Sequence, residues 1–417
     1  MIGIAWKSLV NRWPTALLAV LAIAMSVALI LTVEKVRRDA RSSFTQTVSG
    51  TDLIIGARSG SVQLLLYSVF RIGNATNNIS WESVEDIRKR KAIDWVVPLS
   101  LGDSHKGFRV LGTNLDYFKH YSYGSGTSLA LSTGELFDDV FDAVLGSDVA
   151  AQLNYKTGDS IVVAHGTGDV ALVEHDRQPF SVSGILKPTG TPVDRAIHVS
   201  LQGIEAMHVD WRNGTGTKGE GTDADTVRNM DLSPTAVTAL LVGLKSRATV
   251  FREQRVINTY RAEPLLAILP GVALQELWGL VSVAEMALMI VSVCVVIAGL
   301  INLISVLLAG LNERRREMAV LRSAGARPSH VFLLLCIESA VLTFCGIIVG
   351  LVLHYLFTGV GTLFLQQKFG LAISLSLPSV SDLKVLLAIA VAGLFAGSLS
   401  ALQAYRRSLA DGLSQRL

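Results

Sequence analysis

The sequence predicts a polytopic α-helical membrane protein. It has four transmembrane helices in a 1+3 arrangement and a large α+β extracytoplasmic domain between the first and the second. Three observations carry this. Half of the 417 residues are hydrophobic and 17% are charged, where soluble globular proteins carry about 25% charged residues. Residues 15–33, 286–311 and 385–405 contain no charge over 19, 26 and 21 positions. About 240 residues of ordinary polar sequence separate the first of these runs from the second.

Each span is justified by length. About 20 apolar residues at roughly 1.5 Å each cross about 30 Å of hydrocarbon. The three uncharged runs qualify outright, and 331–360 is a fourth span interrupted by Glu338 and His354. The first run exceeds the apolar core of a signal peptide and no small-residue cleavage pattern follows it, so it reads as a retained anchor. The chain then divides into a cytoplasmic segment at 1–14, a first span at 15–33 and the external domain at 34–272. A stalk and second span occupy 273–311, a cytoplasmic segment 312–330, and a third span 331–360. An outer loop at 361–384, a fourth span at 385–405 and a tail at 406–417 complete it.

Orientation follows from the short segments. Lys7, Arg12, Arg314, Arg315, Arg316, Arg322, Arg327, Arg406, Arg407 and Arg416 all fall on one side, against Lys368 and Lys384 on the other. Basic residues stay on the cytoplasmic face, so both termini lie inside and the large domain lies outside. Lys35, Arg37, Arg38 and Arg41 follow the first span on the outer side and oppose this reading. Long domains translocate regardless of such charge. The net charge of +3 gives no sign of a nucleic-acid partner.

Within the external domain, 52–55, 94–101 and 107–113 read as strands. So do 179–190, 193–200 and 236–244, while 142–166 reads as strand, turn, short helix, Gly-Asp turn and strand. Residues 61–70, 81–91 with Ser80 as N-cap, and 246–260 read as helices. The Gly-, Thr- and Asp-rich stretch 211–234 reads as a mobile loop. All three cysteines (Cys294, Cys336, Cys345) lie in spans, so no disulfide staples the domain and it depends on its own core.

The segment 312–330, NERRREMAVLRSAGARPSH, lies between two spans. On a helix, Glu317, Val320, Leu321 and Ala324 share one stripe by i, i+3, i+4, i+7 spacing, with Arg315 and Arg322 opposite. Gly325 ends the helix and Pro328 suits the first turn of the next. An acid on the apolar edge fits a helix docking into a protein groove better than one lying on lipid. The plain alternative is a tight cytoplasmic turn whose arginines only set orientation.

Glu313, Arg314, Arg315, Glu317, Met318, Leu321, Arg322, Gly325 and Ala326 resemble a run that precedes the third span in the MacB/LolC/FtsX group of ABC-transporter permeases. Residues 144–163, VLGSDVAAQLNYKTGDSIVV, are similar to a strand-helix-strand run of that group's external domain. The resemblance implies two permease subunits, here a homodimer, working with two copies of a separate ABC ATPase subunit. No nucleotide-binding domain is present in this sequence, so ATP and Mg would act through that partner, and this chain binds no cofactor directly. Glu313, Arg314, Arg315, Glu317, Val320, Leu321, Arg322, Ala324 and Gly325 would form the coupling contact. ATP-driven motion would pass to the external domain for export or extraction of an amphiphilic cargo: lipoprotein, lipid, peptide or drug. The alternative is a regulatory mechanotransmitter that controls an external enzyme without transport. A periplasmic adaptor or lipoprotein and membrane lipid are further implied partners.

Outside that segment, Glu338 is an intramembrane acid and is functional or structural by default. Gly346 with Gly350, and Gly393 with Gly397, are spaced for close helix packing. His105, His120, His165, His175, His198 and His208 fit no metal motif and read as scattered surface histidines. Asp138, Asp139 and Asp142 read as a solvated turn. No nucleophile motif or trusted carboxylate pair supports an enzyme.

Overall fold

The computed structural model describes residues 12–47, 50–124, 126–165, 173–174, 179–209, 222, 224–313, 327–369 and 376–410. Its helices in chain order are α1 Trp13–Gln46, α2 Ser61–Ser68, α3 Trp81–Arg88, α4 Asp116–His120, α5 Ser147–Leu153 and α6 Leu201–Met207. They continue with α7 Ala224–Arg228, α8 Val250–Asn258, α9 Pro270–Glu313, α10 Pro328–Phe369 and α11 Val380–Ala410. The strands of the main sheet are β1 Leu53–Ala57, β2 Ile93–His105, β3 Phe108–Thr113, β4 Leu131–Gly134 and β5 Asp142–Leu145. After these come β6 Phe180–Leu186, β7 Ala196–Ser200, β8 Ala239–Leu244 and β9 Leu265–Ile268. The chain forms two compact units, one of Met1–Asp39, Ser282–Gln366 and Ile373–Leu417, the other of Ala40–Val281 and Gln367–Ala372.

The first unit is a bundle of four helices long and apolar enough to cross a membrane, with spans at Trp13–Ser42, Pro270–Ala309, Phe332–Thr362 and Val380–Gln403. All four helices exceed the uncharged runs. α1 continues past Val33 because the charges that follow are spaced to pair along it. Arg37 bonds Glu34 at 2.8 Å and Lys35 reaches Asp39 at 3.1 Å. α10 runs to Phe369 and α11 begins at Val380, so helix occupies both ends of the expected outer loop. α10 starts on Pro328, where a missing N–H is harmless. α11 starts from a capping box: the Ser379 N–H donates to Asp382 Oδ2 at 2.8 Å, and the Asp382 N–H to Ser379 Oγ at 3.3 Å.

The second unit is built on a mixed sheet of twelve strands, three of them two-residue pieces off its main path. Along that path the order is β9-β1-β8-β2-β3-β7-β5-β6-β4, parallel only between β3 and β7 and between β5 and β6. β2 joins the two halves: its start pairs with β8, its end with β3, and its register shifts between Leu101 and Ser104. Side chains alternate between the two faces of the sheet as period-two geometry requires, and both faces of β1, β7 and β8 are buried. Ile54 of β1 and Leu241 of β8 join a cluster with Leu64, Leu65 and Tyr67 of α2 on one face. Leu53, Ile55, Leu240 and Val242 face Val84 and Ile87 of α3 and Ile257 of α8 on the other. Towards β6, the core is Ala143, Leu145, Phe180, Val182 and Ile197 with Val149 of α5 and Ile204 of α6.

The expected strands and helices of this domain are present to within a few residues, with Ser80 accepting from the Ser83 N–H as N-cap. Residues 193–195 belong to a 3-10 turn, Pro192–Arg195, and β7 begins only at Ala196. β9 was not expected. Its LLAI sequence stands two residues before the apolar stalk and carries no alternation of its own. The stretch read as a mobile loop needs correction. Residues 210–221 and 223 lie outside the described residues, but Ala224–Arg228 is helical, with Val227 fully buried and Leu232 7% exposed. Arg228 also pairs with Asp139 at 3.0 Å, holding that carboxyl below its usual range. The supposedly solvated acidic turn is therefore tied to this helix. Asp142 further accepts from the backbone N–H groups of Asp138 and Asp139.

Candidate functional site: a glycine-packed bundle with an ion-paired end

The bundle is assembled through small residues. A Cβ on Gly346 would lie 2.7 Å from Ile23 Cβ, and one on Gly350 would lie 2.7 Å from Val27 Cβ and 2.9 Å from the Ala24 carbonyl. α1 and α10 therefore approach closely at the Gly346-x-x-x-Gly350 step. The second pair works the same way between α10 and α11. A Cβ on Gly393 would collide with Thr343, and one on Gly397 with Ser339. α9 meets α1 where Gly299 faces Ser26, whose hydroxyl donates to the Ala22 carbonyl at 2.8 Å and lies 3.1 Å from the Val295 carbonyl. Ala19, Ile23, Val27, Leu31, Leu303, Leu342, Ile389 and Ala396 fill the space between these contacts.

Where α1 leaves the bundle, polar groups take over. Arg38 Nη2 donates to both carboxylate oxygens of Asp382, at 2.8 and 2.9 Å, and Arg38 Nη1 to Ser381 Oγ at 2.6 Å. Lys35 donates to Ser376 Oγ at 2.9 Å. Thr32 Oγ1 and His354 Nδ1 are 3.0 Å apart. α1 is thereby bonded to α10 and to the start of α11. Of the basic residues that follow the first span, Lys35, Arg37 and Arg38 are ion-paired, with Asp39, Glu34 and Asp382. Arg41 lies over the Trp278 ring, 5.8 Å from its centroid.

Of the sequence-derived residues, Glu313 is the last residue of α9. Arg314, Arg315, Glu317, Val320, Leu321, Arg322, Ala324 and Gly325 lie outside the described residues. Glu338 is 4% exposed on α10 beside Ser339, which faces Gly397. His354 is one of the groups joining α1 to α10, so the intramembrane histidine and acid serve different contacts. Arg38, Asp382, Lys35 and Ser376 were missed by sequence reasoning. The capping-box spacing Ser379-x-x-Asp382 and the i, i+4 spacing of Lys35 and Asp39 are legible, whereas a partner 344 positions away is not.

Three α-helices contribute residues to both units: α1, α9 and, through its last turn, α10. Ala273 and Leu274 of α9 are buried in the domain's core. The Tyr121 hydroxyl donates to the Thr47 carbonyl, one residue beyond α1, at 3.1 Å. The histidines correct the surface expectation. His198 is fully buried between Tyr117 and Phe118, with Nδ1 3.2 Å from the Val144 carbonyl. Burial, reinforced by the Arg71 charge, pushes it down to about 3. His105 is 5% exposed, and His120 stacks on Trp95. His165 lies in a two-residue strand, and His175 lies outside the described residues. Burial also raises Asp194, although Thr189 and Gly190 donate three hydrogen bonds to it. No group of three His, Cys, Asp or Glu among the described residues is placed to hold a metal ion.

Residues 16–250 match the MacB-like periplasmic core domain and residues 289–409 the FtsX-like permease C-terminal domain. None of the curated proteins matches this sequence. Among solved structures, the periplasmic region of MacB from Actinobacillus actinomycetemcomitans is 12% identical. That alignment covers 56% of this chain and 97% of the other, with a TM-score of 0.34. The extracellular domain of the noncanonic ABC-type transporter YknZ from Gram-positive bacteria is 13% identical, over 52% of this chain and 99% of that one, with a TM-score of 0.31. With the first family model matching more than half of its length and the second its last three helices, the chain belongs to the MacB/FtsX group of membrane permeases.

Proposed function

We propose that this chain is the permease subunit of an ABC transporter. It would sit in a bacterial inner membrane with both termini in the cytoplasm and pair with a second copy of itself. Two copies of a separate ATPase subunit would bind ATP and Mg. The contact with that ATPase is the segment from Glu313 to Gly325, with Glu317, Val320, Leu321 and Ala324 seated in its groove. Arg314, Arg315 and Arg322 line the flanks. Motion entering there passes through the bundle to the external domain, which handles an amphiphilic cargo.

The observation that carries this reading is the continuity of α1 and α9. A helix of 44 residues, at about 1.5 Å per residue, is a rod of about 66 Å. Its first turns are packed in the domain core and its last residue is Glu313, where the coupling segment begins. A displacement at one end of such a rod cannot be absorbed by a loop. Close glycine contacts join α1 to α9 and α10, and α10 to α11, so the four helices respond together.

Glu317→Lys tests the coupling contact. The variant is expected to lose co-purification of the ATPase, or to retain it with turnover reduced at least about tenfold, a barrier change of about 1.4 kcal/mol. The external domain should keep its wild-type protease resistance. ATPase bound at wild-type level with unchanged turnover overturns the assignment. Stimulation of the reconstituted complex by lipid or lipoprotein supports cargo handling; stimulation by a protein partner alone supports the regulatory reading instead.

A further inference from the structure

We infer that the external domain carries an interfacial lipid-binding face, formed by α8 and the loops beside it, that takes anionic phospholipid headgroups around an inserted Phe251. The inference uses the external domain alone. It does not depend on the ATPase, the cargo or the coupling segment.

α8 has two faces. Glu253 and Ile257 are buried against the sheet, while Phe251, Arg252, Arg255 and Val256 point outward, one helical face by their spacing. Phe251 is 70% exposed, the most exposed large apolar side chain between β1 and α9 among the described residues. Phe251, Arg252, Gln254, Arg255, Asn258 and Thr259 line an open groove. A lone exposed apolar residue means little. Here the cations around it make the case.

The end of α3 and the flank of β8 bring Arg88, Lys89, Arg90, Lys91, Lys245 and Arg247 to the same place as Arg252 and Arg255. The Lys245 N–H donates to the Ala92 carbonyl at 3.0 Å, and Arg90 pairs with Glu253 at 2.7 Å. The acids on these segments are Asp52, Glu85, Asp86, Asp94 and Glu253, and Asp86 accepts from the Tyr260 hydroxyl at 2.8 Å. Asp52 takes Arg247, Glu85 takes Arg88, and Glu253 takes both Arg90 and Arg252. Lys89, Lys91, Lys245 and Arg255 are exposed and make no ion pair among the described residues. An aromatic side chain ringed by unpaired cations is the composition of a face that lies in a headgroup layer: the ring enters the acyl boundary and the cations meet phosphates.

Strand register says which end of the domain this is. Leu244 of β8 pairs with Ile93 at the start of β2, and Val242 with Leu53 at the start of β1. Ile268, the last residue of β9, pairs with Ile54, and α9 begins two residues later. Asp52, which holds Arg247, lies five residues after Thr47 at the end of α1, at most about 18 Å along the chain. α1 and α9, two of the helices that contain membrane spans, thus join the sheet at the end where the cations collect. An acidic soluble protein would match the charge equally well. It has no reason to need this end, and charge alone does not call for a protruding phenylalanine.

The test uses the full chain in nanodiscs of phosphatidylcholine, with or without phosphatidylglycerol. Hydrogen exchange of the amides across 246–256 is expected to slow at least about threefold in the anionic discs. The difference should vanish in molar salt, where the Debye length is about 3 Å. It should also vanish in Lys245→Glu/Arg255→Glu and shrink in Phe251→Ser, none of which removes an ion pair or a buried group. In native membranes, Phe251→benzoylphenylalanine should give phospholipid adducts on irradiation. Equal exchange in the two lipids overturns the inference, as does a photo-adduct to a protein in place of lipid.

Discussion

A single buried imidazole makes a measurable difference to this domain. His198 has its folded value pushed down to about 3, against about 6.5 for an exposed histidine. The unfolded chain therefore binds a proton between those values that the folded chain refuses. Stability is complete above about pH 6.5 and falls as pH drops through the window, by a few kcal/mol by pH 4. Urea midpoints measured from about pH 7 to pH 4 should fall in the parent, and His198→Gln should remove roughly one proton's worth of that slope. Matching slopes in the two would contradict the assignment. At the other unit, Asp382 accepts from Arg38 with side chains 10% and 28% exposed. Asp382→Asn keeps the cap acceptor of α11 but removes the carboxylate from Arg38, which retains Ser381 and Glu34, at a cost of about 1–3 kcal/mol. The melting temperature in detergent should drop by several degrees, and Asp382→Glu should restore part of it. The cap was legible in the sequence because it is local. The ion pair was not, since only the fold brings Arg38 to Asp382, and nothing in the six charged residues of 34–41 says which one finds a distant partner.

Elements were legible in proportion to how local their causes are. The strands of the domain show alternation or continuous β-branched runs, and α3 and α10 show their first-turn signals in Ser80 and Pro328. What failed was extent. Counting uncharged residues ends α1 at Val33, yet the helix continues to Gln46 because Glu34 with Arg37 and Lys35 with Asp39 pair along its own surface. β9 failed for the opposite reason, an edge strand whose apolar residues merge with the stalk. The Gly-x-x-x-Gly steps lie between these cases, since spacing suggests contact but never the partner. Their partners supply a prediction. Gly397→Leu drives a side chain into Ser339, and overpacking of this kind destabilises by about 1–3 kcal/mol. Gly359→Ala, on the same bundle but with nothing within 4 Å of its Cβ position, should be neutral or stabilising by up to about 1 kcal/mol. Equal melting temperatures for the two variants would mean that α10 and α11 do not meet at Gly397.

At the scale of the molecule, the question is whether the rods transmit force or merely tether the domain. Span count and the polar insert were legible because lipid imposes them on composition. The unbroken course of α9 through the boundary was not, since a stalk and a span read as separate runs. The boundary between the two units falls between Val281 and Ser282, in the middle of that helix. Inserting three glycines there breaks the rod while leaving every core contact of both units in place, since the buried stalk residues Ala273 and Leu274 precede it. Glycine in a helix interior costs about 1 kcal/mol per residue, so the inserted segment has no reason to stay helical. If α9 transmits, the variant retains ATPase binding, shows the parent's two unfolding transitions, and loses cargo-stimulated turnover. An insertion of three alanines preserves a helix but rotates it by about 300° at 3.6 residues per turn, so it should also uncouple. Seven alanines, close to two full turns, should recover coupling in part. Full coupling in the glycine variant would reduce α9 to a tether and shift the role to α1 and α10, which also contribute residues to both units.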